Sequence, residues 1–311
     1  TQYFFFKQWT ELKNYANQKG IQIIGDMPIY VAADSVEVWT KPELFQLDEE
    51  RNPLFVAGVP ADQFSATGQL WGNPLYAWEE HKKQGYAWWI HRIEESFKIY
   101  DVLRIDHFKG FSDYWQVDGK AEVAKDGSWQ PGPGYDLFKA VKEQLGDLPI
   151  IAEDLGNIDD KARKLLTDCN YPGMKILQFG FEDVSGESLD SPHYCIPHSI
   201  VYTGTHDNDV TNGWYNSLTE QQQQYINDYT HRRENESICQ AMIRQLFATV
   251  SNTAIATMQD VLDLPASSRM NVPSTIGGNW QWRMQQSDLT QDKKDFLAKM
   301  TTLYQRANQE K

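Results

Sequence analysis

The sequence predicts an α/β protein with a parallel sheet that is covered by helices on both faces. Short, almost continuously apolar segments alternate along the chain with longer segments of helical periodicity, which is typical of buried parallel strands joined by helices. Three apolar segments also lead into acidic residues, and the carboxyl ends of parallel strands are where such folds place functional side chains. These segments are 102–105 before Asp106, 149–152 before Glu153, and 199–202 shortly before Asp207.

The individual elements follow from apolar spacing and from helix-ending residues. Gly20 is expected to end the first helix because glycine favours the position after a helix. Helices are predicted at residues 6–19, 87–100, 135–145, 159–169, 221–230, 236–247 and 291–306. Strands are predicted at residues 21–25 (ending at Asp26), 102–105, 149–152, 174–179, 199–202 and 253–258.

Six strands fit either a doubly wound sheet or most of an eight-stranded barrel. A doubly wound sheet usually binds its ligand beside a glycine-rich phosphate loop, and none follows an early strand here. A closed barrel needs two more strand–helix units, and the chain opens inside a helix with no capping signal before it. We therefore expect a TIM-type (β/α)8 barrel from about strand 3 to strand 8, with the first two strands upstream of Thr1 and missing. Open parallel edges are a liability, so the 311-residue chain alone is expected to be poorly stable and weakly active or inactive.

We find no repeat or Pro/Gly/Ser linker, so we expect one catalytic domain over residues 1–311 that lacks an upstream N-terminal portion. The segment between the first two predicted strands is longer than a barrel unit needs, and long loops in compact enzymes are usually functional. Residues 52–78 are interpreted as a substrate-binding lid loop within this domain. Its aromatic residues either pack the loop or stack on sugars.

Composition excludes several classes of partner. The 29 basic and 43 acidic residues give a net charge of −14 with no basic cluster, which disfavours nucleic acid. No apolar run approaches the roughly 20 residues that span a bilayer, and the N-terminus lacks the features of a signal peptide. Cys169, Cys195 and Cys239 are odd in number and widely spaced, so we expect neither disulfides nor a zinc site, and a cytoplasmic location.

The three acids have the chemistry that retaining glycosyl transfer requires, namely a carboxylate nucleophile and a second carboxyl that acts as acid and then as base. Arg104 points the same way as Asp106 by the two-residue period of a strand and can hold it ionised as the nucleophile. Glu153 follows three apolar residues, and burial raises a carboxyl pKa as a general acid needs. Asp207, after His206, can hydrogen-bond sugar hydroxyls.

Each residue also has a structural interpretation. An acid at a strand end is more often a helix cap or a salt-bridge partner, Arg104 and Asp106 can form a purely structural pair, and His206 alone is more often a core residue. Three acids at the ends of separate strands favour the catalytic interpretation.

Several segments resemble the 4-α-glucanotransferases of the amylomaltase, or disproportionating enzyme, type. The resemblance covers nearly the whole chain, to about residue 284. It depends on the segments Gly25–Val31 (GDMPIYV), Trp71–Pro74 (WGNP), Arg104–Phe108 (RIDHF), Ile151–Gly156 (IAEDLG), Gly204–Asn208 (GTHDN) and Arg269–Pro273 (RMNVP).

The resemblance implies an α-amylase-superfamily barrel without a separate C-terminal β domain, and no cofactor or metal in catalysis. It implies that Asp106 is the nucleophile, Glu153 the acid/base and Asp207 the transition-state stabiliser, with Arg104 and His206 in support. It also implies substrate contacts by Asp26, Tyr30, Phe64, Trp71, Asn73 and Asn271. Gln63 stands before Phe64 where the family often has an aromatic residue.

The leading hypothesis is therefore a retaining 4-α-glucanotransferase that acts on malto-oligosaccharides and other α-1,4-glucans. Motif chemistry alone does not separate transfer from hydrolysis, so an α-glucan hydrolase of the same superfamily is one alternative. A non-catalytic malto-oligosaccharide-binding protein is the other, although a binder has no need of an acid/base pair. Nucleic acid and membrane partners are not expected, and protein partners are unknown.

Overall fold

A computed structural model describes residues 1–61, 67–156 and 158–307. Helices separate most of the strands along these ranges, so the predicted α/β class is confirmed. The chain divides into two compact units, Thr1–Gly173 and Met174–Lys311. No helix within the described ranges is both long and apolar enough to cross a membrane.

The first unit contains one parallel and one antiparallel sheet. The strands are β1 (Ile24–Met27), β2 (Phe55–Val59), β3 (Gln69–Pro74), β4 (Val102–Ile105), β5 (Asp113–Asp118), β6 (Ser128–Pro131) and β7 (Ile150–Ala152). Strands β1, β4 and β7 pair in parallel in that order, and the antiparallel order is β3–β2–β5–β6. The helices are α1 (Gln2–Gln18), α2 (Val36–Thr40), α3 (Trp78–Lys83), α4 (Ala87–Ile99), α5 (Tyr135–Leu145) and α6 (Asp160–Cys169).

Strand β1 begins three residues later and ends two residues later than the predicted strand at 21–25. Its side chains alternate between exposed and buried: Ile24 is 40% exposed, whereas Gly25 and Met27 are buried. The apolar run that suggested the earlier position therefore does not face the core. Because of this shift, Asp26 lies inside the strand rather than after it, in register with Arg104 of β4.

The antiparallel sheet was not predicted. Strands β2 and β3 lie within residues 52–78, so part of the predicted lid loop is regular structure. Tyr76 is 1% exposed and its hydroxyl donates to the carbonyl of Ile29 at 2.7 Å, so this aromatic residue packs the core. Phe64 lies outside the described residues, and the substrate-binding role of the loop stays a prediction.

Gly25 has no room for a side chain. A Cβ built there would lie 2.0 Å from Cδ2 of Tyr100. We expect Gly25→Ala to destabilise the full-length protein by about 1–3 kcal/mol, the usual range for overpacking a core, with a lower Tm as the measurement. Tyr100→Leu in the same background should recover part of the loss, and a Gly25→Ala variant as stable as the parent would contradict the close packing.

The second unit has a three-stranded sheet in the order β10–β9–β8, formed by β8 (Gly173–Ile176), β9 (Ser199–Tyr202) and β10 (Thr253–Ile255). Its helices are α7 (Leu177–Glu182), α8 (Thr211–Ser217), α9 (Glu220–Thr230), α10 (Ile238–Ala248), α11 (Met258–Val261) and α12 (Gln291–Leu303). The predicted strand to residue 179 is wrong beyond Ile176. Leu177 and Phe181 are both fully buried, four residues apart, which is the spacing of one helix face.

Candidate active site

Arg104 lies at the centre of an ionic cluster formed by neighbouring strands of the parallel sheet. Its Nη1 donates to Oδ1 of Asp26 at 2.6 Å and to Oδ1 of Asp106 at 2.9 Å. The Arg104 side chain is only 8% exposed, whereas those of Asp26 and Asp106 are 38% and 40% exposed. Arg104 therefore fixes Asp106 from the protein side and leaves part of that carboxylate accessible.

The charge on Arg104 is secured by its neighbours. Burial lowers the pKa of the guanidinium, but the carboxylates of Asp26, Asp106 and Glu153 together outweigh burial and raise that pKa above its usual range. Arg104 is a permanent cation that keeps Asp106 oriented, as the sequence predicts.

Glu153 follows β7 and has a different environment. Its Oε2 accepts a hydrogen bond from the backbone N–H of His107 at 2.7 Å, and its Oε1 accepts one from the N–H of Leu155 at 2.8 Å. Burial and then the negative charge of Asp106 raise the pKa of Glu153 to about 7, although Arg104 and the two amides act in the opposite direction. The predicted rise in the pKa of this carboxyl is confirmed in direction and cause.

The backbone contacts that hold Glu153 were missed by the sequence interpretation. His107 has a left-handed backbone with φ of 47°, a conformation that histidine adopts more often than most residues, and this turn aims its N–H at Glu153. The His107 ring meets Trp71 edge-on, with centroids 4.9 Å apart. Burial lowers the pKa of His107 to about 4, so the ring is neutral near pH 7.

Within the first unit, the residues that the resemblance assigns to substrate contacts differ from one another in exposure and in the groups that they contact. Tyr30 is 7% exposed and its ring stacks on that of Tyr76. Asn73 donates from Nδ2 to the carbonyl of Val31 at 3.0 Å. Trp71 is partly exposed beside His107, and its substrate contact, like those of the others, stays a prediction.

Asp207 belongs to the second unit and is held by two long-range hydrogen bonds. Nδ2 of Asn271 donates to Oδ1 of Asp207 at 2.7 Å, and Nη2 of Arg269 donates to the Asp207 carbonyl at 2.7 Å. His206 Nε2 lies 3.4 Å from Oδ2 of Asp207, whose side chain is 43% exposed. Asn271 therefore binds Asp207 directly, so it can orient this carboxylate.

Trp280 is a neighbour of this group that the sequence interpretation missed. Its ring lies 5.1 Å from that of His206, and the residue is 61% exposed. The sequence does show a tryptophan nine residues after Asn271, but nothing in its position distinguishes it from the other tryptophans of the chain.

A metal ion has few candidate ligands in the described part of the chain. His91, Glu94 and Glu95 on α4 have ligand atoms within 4.8 Å of one another. These side chains include none of the predicted catalytic residues.

Comparison with known proteins identifies the family. The family model described as 4-alpha-glucanotransferase matches residues 1–290. A 4-alpha-glucanotransferase of Streptococcus pneumoniae is 53% identical over 310 residues, which is 99% of this chain and 61% of that protein. One from Clostridium butyricum is 44% identical over 309 residues, which is 98% of this chain and 63% of that protein.

A solved structure agrees with these matches. Amylomaltase from Streptococcus agalactiae in complex with acarbose is 60% identical, with a TM-score of 0.97 over 99% of this chain and 62% of that one. This chain spans about six-tenths of the length of the relatives that it matches. The family match over 290 residues and the three acids in their motifs lead to one conclusion: the chain belongs to the 4-α-glucanotransferase family.

Proposed function

We propose that the full-length protein is a retaining 4-α-glucanotransferase and that this chain contributes its catalytic residues. The observation that carries the proposal is the contrast between two neighbouring carboxyls. Asp106 is ion-paired with Arg104 and partly exposed, whereas Glu153 is held by two amides and has a pKa raised to about 7. Carboxyls whose environments differ in this way take the roles of nucleophile and acid.

In the first step, the Asp106 carboxylate attacks the anomeric carbon of a glucan. Glu153 donates its proton to the departing glycosidic oxygen as the bond breaks, which leaves a glycosyl ester on Asp106 and releases the reducing-end fragment. In the second step, ionised Glu153 takes the proton from a hydroxyl of the acceptor glucan. The acceptor oxygen then attacks the same carbon and releases Asp106, so the configuration is retained.

We assign the third acid, Asp207, to the sugar hydroxyls of the reacting unit. Its contact with Asn271 fixes one carboxylate oxygen, and its partial exposure leaves the group accessible. Hydrogen bonds to the sugar that strengthen as the ring flattens stabilise the transition state. His206, 3.4 Å from Asp207, is assigned a supporting role.

Malto-oligosaccharides are the proposed substrates. The similar amylomaltase of Streptococcus agalactiae was solved with acarbose, and we propose that this chain likewise binds glucans. Substrate contacts are assigned to Asp26, Tyr30, Phe64, Trp71, Asn73 and Asn271. A cytoplasmic location is also proposed, supported by the free thiols of Cys169, Cys195 and Cys239.

Incubation of the full-length protein with maltotriose separates transfer from hydrolysis. We expect glucose together with maltopentaose and longer oligomers, because a second glucan rather than water resolves the ester. Product analysis by chromatography and mass spectrometry measures this. Glucose and maltose without longer products would indicate a hydrolase, and binding without turnover would indicate a carbohydrate-binding protein.

The activity should fall as the pH rises through the pKa of Glu153. Glu153 must carry its proton to start the first step, and its pKa is raised to about 7. We expect kcat/KM for maltotriose to decrease about tenfold per pH unit well above pH 7. An α-maltosyl fluoride donor is the control, since fluoride leaves without a proton and this alkaline decrease should be absent. The same decrease with both donors would contradict the assignment.

A further inference from the structure

An exposed aromatic ring lies beside the polar group around Asp207. Trp280 is 61% exposed, and its ring meets that of His206 at a centroid distance of 5.1 Å and an angle of 42°. The two rings are tilted rather than stacked, so His206 does not cover the indole. A broad apolar surface is therefore presented to solvent next to His206 and Asp207.

The backbone holds this ring in an unfavourable conformation. Trp280 has φ of 62°, which is a genuine outlier for a bulky residue, and such strain persists only where the surroundings enforce it. Its N–H donates to the carbonyl of Met270 at 2.7 Å. This bond ties Trp280 to the segment that carries Asn271, the partner of Asp207.

The preceding loop is closed by its own hydrogen bonds. Oδ1 of Asn279 accepts from the N–H of Val272 at 3.0 Å, and Nδ2 of Asn279 donates to Oγ1 of Thr275 at 3.1 Å. Gly277 and Gly278 both have positive φ, 81° and 76°, which glycine adopts without strain. These hydrogen bonds define the conformation of the loop and therefore the position of Trp280.

A glucose unit matches this arrangement. A pyranose ring has an apolar C–H face and a polar rim of hydroxyls, and binding sites for such ligands combine aromatic surfaces with a few placed polar groups. Trp280 offers the aromatic surface, whereas His206 and Asp207 offer polar atoms beside it.

We propose that Trp280 is a glucan-binding residue on which the apolar face of one glucose unit of an α-1,4-glucan stacks. The proposal rests on the proposed function, because it assumes that a glucan binds at Asp207. The alternative that the test must separate is a role in which Trp280 only orients His206. The first role changes the affinity for glucan, and the second changes kcat.

Calorimetric titration of maltoheptaose into full-length Asp106→Asn protein tests binding without turnover. We expect Trp280→Ala in that background to weaken Kd about tenfold, equivalent to about 1.4 kcal/mol, whereas Trp280→Phe retains most of the affinity. Trp39→Ala is the matched control, since Trp39 is 70% exposed on α2, which carries none of the predicted catalytic residues, and it should leave Kd unchanged. An unchanged Kd in Trp280→Ala, or an equal loss in Trp39→Ala, would overturn the proposal.

Kinetics with α-glucosyl fluoride as the donor and maltoheptaose as the acceptor separate the two roles. In otherwise wild-type protein, Trp280→Ala should keep kcat within about twofold and raise KM for maltoheptaose. A large loss of kcat with unchanged maltoheptaose affinity would make Trp280 a positioning residue for His206 and refute stacking. If the wild type fails to disproportionate maltotriose but the tenfold difference in Kd persists, the transferase proposal falls and the assignment of Trp280 stands. If the Asp106→Asn protein binds no maltoheptaose, the assignment of Trp280 as a glucan-binding residue is wrong.

Discussion

Asp106→Asn should lower kcat of the full-length protein for maltotriose by about 10⁴-fold or more, as expected when the group that forms the covalent intermediate is removed. The amide is a poor nucleophile and cannot form the glycosyl ester. Its oxygen can still accept the hydrogen bond from Nη1 of Arg104, and Arg104 keeps its bond to Asp26 at 2.6 Å. The variant should therefore fold and bind glucan.

Asp101 offers a matched control for this substitution, because it precedes the same strand, β4, at the opposite end. Its carboxylate lies 3.4 Å from Nζ of Lys13 and accepts from the N–H of Ile23 at 2.8 Å. Asp101→Asn should reduce stability but leave kcat within about twofold, since the Asp101 carboxylate contacts Lys13, Asn17 and the N–H of Ile23, none of which is a predicted catalytic residue. If Asp106→Asn retained a tenth of the parent activity, Asp106 would not be the nucleophile.

Glu153→Ala should lower kcat/KM for malto-oligosaccharides by about 10²–10⁴-fold, the usual contribution of general acid catalysis. The loss should be much smaller for formation of the ester from α-maltosyl fluoride, whose leaving group needs no proton. Azide should then accelerate the second step because it attacks the ester without a general base. The expected product is a maltosyl azide of retained configuration, detectable by NMR.

The choice of alanine follows from the two amides that face Glu153. A glutamine there would point its NH₂ group at the N–H of either His107 or Leu155, which donate to opposite oxygens of the carboxyl. An unsatisfied buried donor costs about 1–3 kcal/mol, so either substitution lowers stability. Alanine is preferred because it leaves space in which water or azide can accept from the two N–H groups. Equal losses of Glu153→Ala activity with malto-oligosaccharide and fluoride donors would contradict the acid role.

The sequence predicted most accurately those strands of the site whose residues are almost all buried. Strands β4 and β9 have the predicted bounds, and every residue of β9 and every residue of β4 except Val102 is buried. Strand β1 was misplaced because Ile21 and Ile24 are apolar but exposed, and hydrophobicity does not tell an exposed face from a buried one. The antiparallel sheet was missed because its short strands mix polar and aromatic residues, as in Asp113–Asp118.

The site itself was also predicted only in part from the sequence. The period of two along β4 predicted that Arg104 and Asp106 point the same way, and their hydrogen bond confirms it. The amides of His107 and Leu155 that hold Glu153 leave no trace in side-chain identity. The contacts of Asn271 and Trp280 with Asp207 and His206 join segments more than 60 residues apart, which a single sequence cannot pair.

The most direct test is a crystal structure of the full-length protein, with the Asp106→Asn substitution, bound to a malto-oligosaccharide. Our proposal places residues 106, 153 and 207 around a single glucose unit. The terminal carbons of two side chains, Cγ of residue 106 and Cδ of Glu153, should lie about 5–5.5 Å apart, as retention requires. A separation of about 6.5–9.5 Å would indicate inversion. The larger separation would contradict the mechanism. So would a structure in which Asp207 contacts a different glucose unit or no glucose unit at all.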